Sequence, residues 1–253
     1  MTASGEVAGT QVVRRIGLLL RAIATRNRDG VRLVDLVKAV ELDQSTAHRL
    51  LKALAVEGIV RQDAESKRYH LGALIYECGL AIKPEFDIRL AAKNALRRIA
   101  AFTEDTVYLV ARNQHESVCL DRIEGNYPVK VLTLDTGGRR PLGTNASGLA
   151  ILGSLRQDEI DLIIAHNESA YSKYGDMNAQ RVRRELEAFW QRGYVSITIA
   201  AGTATVGLPI LAPGGDPLAA IAVAAIESRM SPERQEQIAK FVRKEIAGIG
   251  VPA

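Results

Sequence analysis

Apolar positions along the chain change period several times, and each change marks an element. Over Val12–Thr25 the residues Val12, Ile16, Leu19, Leu20 and Ile23 recur at helical spacing, with Arg14, Arg15 and Arg21 on other faces. RNRDG at 26–30 breaks the pattern. Leu33, Leu36, Val37 and Val40 predict a short second helix, interrupted at Glu41-Leu42-Asp43, where Asp43 suits an N-cap. From Gln44 to Glu57 the pattern is sharpest: Ala47, Leu50, Leu51 and Leu54 form one apolar stripe. Ser45, His48, Arg49 and Lys52 follow the same spacing on another face. Gly58 ends that helix. Ile59–Gln62 and Arg68–Gly72 then read as two short strands about the polar turn DAESK, followed by a helix over Ala73–Ile82 that stops before Pro84.

Beyond the break at KPEFD (83–87) the pattern alternates. Helices are predicted over Ile88–Phe102, Asn145–Leu155, Asp158–His166 and Ala179–Arg192, and a last one starts at Ser231-Pro232-Glu233, with Ser as cap and Pro at the first helical position. Strand-like runs cover Thr106–Ala111, Ser117–Ile123, Val129–Leu134, Tyr194–Ile199, Thr205–Leu211 and Leu218–Ile226. Strands beside strands, with helices between the groups, predict a mixed sheet under helical cover. The fold class expected is therefore α+β in three parts, over 10–72, 73–87 and 88–253.

Charge adds a direction to this layout. Residues 1–83 hold 13 Lys and Arg against 9 Asp and Glu, whereas residues 84–253 hold 20 of each. The whole excess of +4 lies in the first third, as expected of a polyanion-facing module joined to a neutral one. Aromatics are only 5%, too few for single-strand binding by serial base stacking. No run approaches the ~18 apolar residues of a membrane helix, and MTASGEVAGTQ at the start reads as a flexible tail without a secretory signal. Cys78 and Cys119 lie in no metal spacing and read as reduced cytosolic thiols. The four histidines make no HxxxH or HExxH, so no metal and no cofactor is expected.

Helix, short helix, three-residue turn, amphipathic helix and basic hairpin, in that order, form the layout of a winged helix-turn-helix. A helix entering the major groove needs an apolar back to dock on its own domain and a polar front for bases and phosphates. Gln44–Lys52 meets both demands. Gln44, Ser45, His48 and Arg49 are expected at bases or nearby phosphates, Thr46 and Lys52 chiefly at the backbone. Arg61, Lys67 and Arg68 of the hairpin are expected along adjacent phosphates or the minor groove.

STAHRLLKALAVEGIV followed by RYHLG resembles the signature of the IclR family of bacterial transcription regulators, and GGRRPLGTNASGLAILG, LEAFWQRGY and GDPLAAIAV resemble its later segments. The resemblance spans roughly residues 10 to 248. It implies a winged helix-turn-helix, a linker helix that helps dimerise, and a GAF-like domain that binds a small-molecule effector. The implied partners are a double-stranded DNA operator, the effector, and further copies of the chain in a homodimer or tetramer. Carried over by position, the resemblance places Ala146, Ser147, Thr205, Ala222 and Ala224 at the effector, with Leu132 and Leu134 as an apolar wall and Ile197 on a neighbouring strand. Two departures stand out. Glu41 occupies a turn position where the family usually has Gly, which implies an adjusted turn. VSITIAA at 195–201 lacks the acidic residues usual after Gly193-Tyr194. So few polar side chains imply a larger or more apolar ligand, such as an aromatic acid, with the N–H groups near Asn145–Ser147 available to an anion.

Two rival classes have their own signatures. An enzyme would need a nucleophile, but Ser147 sits in NASGLA without a GxSxG elbow, Cys119 lies mid-strand, and TGGR at 136–139 lacks the ending of a phosphate loop. No catalytic residue is expected. The second rival is a DNA-binding protein whose C-terminal half only assembles oligomers; the sequence leaves that reading open.

Overall fold

The computed structural model describes residues 10–82, 87–198 and 202–251. The contact pattern divides the chain into two compact units, up to residue 84 and from residue 85. Most of the expected N-terminal tail lies outside the described residues, as do the end of the linker and the end of the Tyr194–Ile199 run.

The first unit contains α1 (Gln11–Ala24), α2 (Leu33–Val40), α3 (Gln44–Val56), the hairpin β1 (Val60–Gln62) and β2 (Tyr69–Leu71), and α4 (Ala73–Ala81). Leu19, Ile23, Leu36 and Leu51 are fully buried and, with Val31, Leu54, Val60 and Tyr69, form its core. Of the stripe read from the sequence, α3 buries Ala47, Leu51 and Leu54, and Leu50 is half-buried against the same core. At roughly 1.5–3 kcal/mol for each large aliphatic side chain, this stripe supplies the force that seats the helix. Gly72 is forced by a close approach: a Cβ there would lie 2.0 Å from the Gly58 carbonyl oxygen. The start of α4 can therefore pass the end of α3 only without a side chain at that position.

The second unit is built on a six-stranded sheet, with β3 (Thr106–Asn113), β4 (Glu116–Ile123), β5 (Arg139–Pro141), β6 (Val195–Ile197), β7 (Thr203–Leu211) and β8 (Pro217–Ile226) in the order β5-β4-β3-β8-β7-β6. Every neighbouring pair is antiparallel, so the expected mixed sheet is corrected. Alternation along the strands divides the core. Val107, Leu109, Val206, Leu208, Ile221 and Val223 face α5 (Ile88–Thr103) and α9 (Pro232–Ala247). Tyr108, Val110, Ala220, Ala222 and Ala224 face α6 (Ala146–Leu152), α7 (Gln157–Tyr171) and α8 (Ala179–Arg192). Burial on both faces explains why β8, PLAAIAVAAI, reads as a continuous apolar run.

Two segments depart from the sequence expectation. Val129–Leu134 is no strand: it is a loop stretch held by side chains. The Tyr108 hydroxyl donates to Val131 O (2.7 Å) and accepts from Thr133 N (3.0 Å), and Arg122 donates to Leu134 O (3.2 Å). These bonds satisfy backbone groups that a sheet would otherwise take. In its place the edge strand is β5, whose RRP lies in none of the strand-like runs of the sequence.

Candidate nucleic-acid interface and effector cavity

The interface begins at a turn. Glu41 adopts left-handed φ 52°, ψ 43°, and its N–H bonds Val37 O to close α2. Glu41 thus takes up the conformation that a glycine would favour instead of reshaping the turn, at a cost of roughly 1–2 kcal/mol. Two residues on, Asp43 caps α3. Its carboxylate accepts from Thr46 N at 2.8 Å and from the Ser45 hydroxyl at 2.7 Å. These two donors, the Thr46 N–H first, hold the Asp43 carboxyl far below the usual carboxylate range.

With the cap fixed and the leucine face buried, Gln44, Ser45, His48, Arg49 and Lys52 are all exposed on α3, and Thr46 is half-buried. The Ser45 proton is committed to Asp43, which leaves its oxygen as an acceptor. In the wing, Arg61 and Lys67 are exposed, and Asp63 shapes the turn by accepting from Ser66 N at 2.8 Å. Arg68 departs from the expectation: half-buried, its guanidinium donates to Gly30 O at 3.0 Å and ties the wing to the α1–α2 loop. Arg68 thus braces the fold, whereas Arg61 and Lys67 make no side-chain hydrogen bond or ion pair among the described residues.

In the second unit a cavity of about 250 Å³ opens beside the sheet. Its floor is set by small residues. Ala222 pairs with Tyr108 on one side and Gly207 on the other, and Ala224 pairs with Thr106 and Thr205. A Cβ on Gly207 would come within 2.7 Å of Ala146 O, so the glycine lets the first turn of α6 rest directly on β7. Of the residues predicted at the effector, Leu134, Ala146, Ser147, Thr205, Ala222 and Ala224 line the cavity. Leu132 does not; it is half exposed on the loop surface. Ile197 does not either: it is buried in the core at the sheet edge, paired with Thr205.

The walls are also more polar than the sequence implied. Arg140, Lys173 and Tyr174 line the cavity, together with Thr133 and Thr144. Arg140 escaped notice because its neighbour Arg139 reads identically, yet alternation in β5 sends the two to different partners. Arg139 pairs with Glu116, while Arg140 donates to Thr133 O at 2.8 Å. Lys173 and Tyr174 lie in the α7–α8 connection, where no periodicity shows which residues turn inward. The Asn145 carboxamide oxygen already takes the Gly148 N–H at 2.6 Å.

Side chains suited to nucleophilic chemistry are poorly placed for it. Cys119 is buried, and burial pushes its thiol up to about 12. No histidine lines the cavity that Ser147 borders. Among the described residues no three metal-ligating side chains cluster, and no helix is long and apolar enough to cross a membrane.

Comparisons with known proteins agree with this geometry. Residues 12–64 match the IclR helix-turn-helix domain, and residues 81–249 match the bacterial transcriptional regulator IclR C-terminal model. The chain is 28% identical to the transcriptional regulator KipR of Bacillus subtilis over 86% of this chain and 87% of that protein. It is 25% identical to the Escherichia coli repressor AllR over 93% of this chain and 87% of that one. Both relatives are named as transcription regulators, not enzymes. The fold matches an IclR-type regulator from Alicyclobacillus acidocaldarius with TM-score 0.74 at 19% identity, covering 94% and 96% of the two chains. It matches an IclR homologue of Microbacterium hydrocarbonoxydans, solved with 4-hydroxybenzoate, with TM-score 0.72 at 20% identity, covering 94% and 97%. A winged helix-turn-helix with a polar recognition face, a separate α/β unit, and family models matching both parts lead to one conclusion: the chain belongs to the IclR family of bacterial transcription regulators.

Proposed function

We propose that this regulator binds an operator as a homodimer or tetramer through the exposed face of α3, and that a small organic acid held in the 250 Å³ cavity changes its operator affinity. The observation that carries the reading is α3 itself. Leu51 and Leu54 are buried and Leu50 half-buried, and Gln44, Ser45, His48 and Arg49 form a contiguous exposed surface that fits a major groove. Lys52, Arg61 and Lys67 supply phosphate contacts around it. The parts assigned are DNA binding to 10–72, linkage to 73–87, and effector binding and oligomerisation to 88–253. Such a protein works in the cytoplasm, with the chromosome.

Pairing of two chains is supported by α4. None of its residues is buried, and Leu74, Tyr76 and Leu80 are exposed, as is Ile82 just after it. Pairing these faces removes apolar surface from water and presents two recognition helices to a two-fold related site. Effector binding is supported by the cavity and by the neighbour solved with 4-hydroxybenzoate. A ligand changes DNA affinity only by binding the DNA-competent and DNA-incompetent states of the dimer unequally, so the effect is a shift of population.

The test starts by recovering duplexes from sheared genomic DNA with the full chain, then measures affinity for the recovered site with and without single-ring and short-chain organic acids. A change in operator affinity, together with a rise in melting temperature from the same compound, is expected. Tight operator binding that no acid alters, with no thermal shift, would leave the second unit as an assembly domain only.

A further inference from the structure

The cavity wall carries two cations and no anion. Arg140 and Lys173 both line it, and none of its other lining residues is acidic. Elsewhere the arginines of this unit are largely paired: Arg112 with Glu159, Arg122 with Asp135, Arg139 with Glu116, and Arg229 and Arg234 with the buried Asp105. Among the described residues Arg140 makes one side-chain hydrogen bond, from Nη2 to Thr133 O at 2.8 Å, and lies 4.9 Å from the centroid of the Tyr174 ring. Its Nε and Nη1 have no acceptor there, and neither does the Lys173 ammonium.

We infer that Arg140 and Lys173 form the acid-binding end of the cavity, and that the ligand they select is a single-ring carboxylic acid. This rests on the cavity being the effector site and says which of its residues read the ligand's charge. Three physical points support it. A guanidinium held by a backbone carbonyl and an aromatic ring is already oriented, so less side-chain freedom is lost when an anion docks. Its remaining N–H groups and the nearby ammonium offer charge-assisted bonds, which are roughly twice as strong as neutral ones. Two like charges on one wall, with no acidic residue in the lining, raise the local potential and favour an anion in the cavity.

The rest of the cavity sets the size and shape of the ligand. Val110, Leu134, Ala146, Ala222 and Ala224 give an apolar body, and a volume of about 250 Å³ falls just below the roughly 300–1,000 Å³ of drug-sized sites. A two-carbon acid would leave most of that apolar wall without contact. A flat ring over the alanine floor would contact it. The acid therefore meets side chains that the sequence pattern hid.

The experiment is calorimetric titration of the full chain with a panel of single-ring carboxylic acids, each matched with its carboxamide, and with glyoxylate. Arg140→Met, Arg140→Lys and Lys173→Met are titrated alongside, with melting temperature as a fold control. The expected result is a preference for acid over amide of about 10- to 100-fold in the native chain. That preference collapses in Arg140→Met and Lys173→Met, while Arg140→Lys, which keeps the charge, retains part of it. Affinity for the amide should be the same in all four proteins. Equal binding of acid and amide by the native chain overturns the inference and leaves the sensor reading standing. So does an unchanged preference in folded Arg140→Met and Lys173→Met, or tighter binding of glyoxylate than of any ring acid. Failure of every compound to bind overturns the sensor reading itself.

Discussion

At the residue scale, the turn before α3 holds a strained residue beside a strong cap. Glu41 sits at φ 52°, where a side chain is disfavoured and glycine is not. Glu41→Gly should raise stability by about 0.5–1 kcal/mol, since relief of strain outweighs the added freedom of the unfolded chain. Chemical denaturation measures this, and a lower midpoint would show that Glu41 contributes a contact that outweighs its strain. Asp43→Ala acts in the opposite direction. Losing the bond to Thr46 N should cost ~1 kcal/mol and fray the start of the recognition helix, so operator affinity falls with stability. A third residue responds to pH. Burial, and secondarily the His166 ring 4.0 Å away, holds His115 below its ordinary 6.5. The unfolded chain therefore takes up a proton near pH 6.5 that the folded chain still refuses. Stability is unaffected above that value and declines as pH falls below it. His115→Gln should flatten the decline between pH 7.5 and 5.5 in denaturation midpoints; an unaltered slope would assign it to other groups.

At the element scale, periodicity was a good guide wherever one face of an element is buried. α3 needed only Ala47, Leu50, Leu51 and Leu54 in register, and α8 was read to its last residue because Gly193 takes a left-handed conformation at its end. Val129–Leu134 misled for a physical reason. Its alternation suits a strand, but Tyr108, Arg122 and Arg140 satisfy its backbone from the side, and no neighbouring strand is needed. The same arrangement hid half of the cavity. Small floor residues such as Ala222 and Ala224 could be carried over by position, whereas Arg140 and Lys173 are brought there by a three-residue edge strand and a connection without period. α4 shows the reverse case: an apolar helix with nothing buried, the face proposed to pair with a second chain. Leu80→Glu lies on an exposed position, 66% accessible, and should leave the melting of the isolated chain within ~0.5 kcal/mol. It should nevertheless shift the mass seen by light scattering toward monomer. An unchanged assembly would move the interface elsewhere.

At the scale of the whole molecule, the division of charge matches the division of labour. The excess of positive charge lies before residue 84, where α3 and the wing present Arg49, Lys52, Arg61 and Lys67. Binding through such groups releases condensed counterions, so the logarithm of affinity should fall linearly with the logarithm of salt, by ~0.9 for each phosphate contacted. Six to ten contacts across a dimer correspond to a loss of ~10³–10⁵ between 50 and 200 mM salt. A flat response would count against the α3 and wing surfaces together.

The proposed operator binding requires the outward side of α3 to meet a duplex, and Arg49 is the most direct probe of that contact, being exposed and making no hydrogen bond or ion pair within the described residues. Fluorescence anisotropy of the full chain and of Arg49→Ala on a recovered operator fragment measures its role. At ~1–3 kcal/mol in each of two half-sites, the variant should bind at least ~30-fold more weakly, with its melting temperature and its affinity for unrelated DNA largely kept. An unchanged operator affinity and footprint would contradict the account.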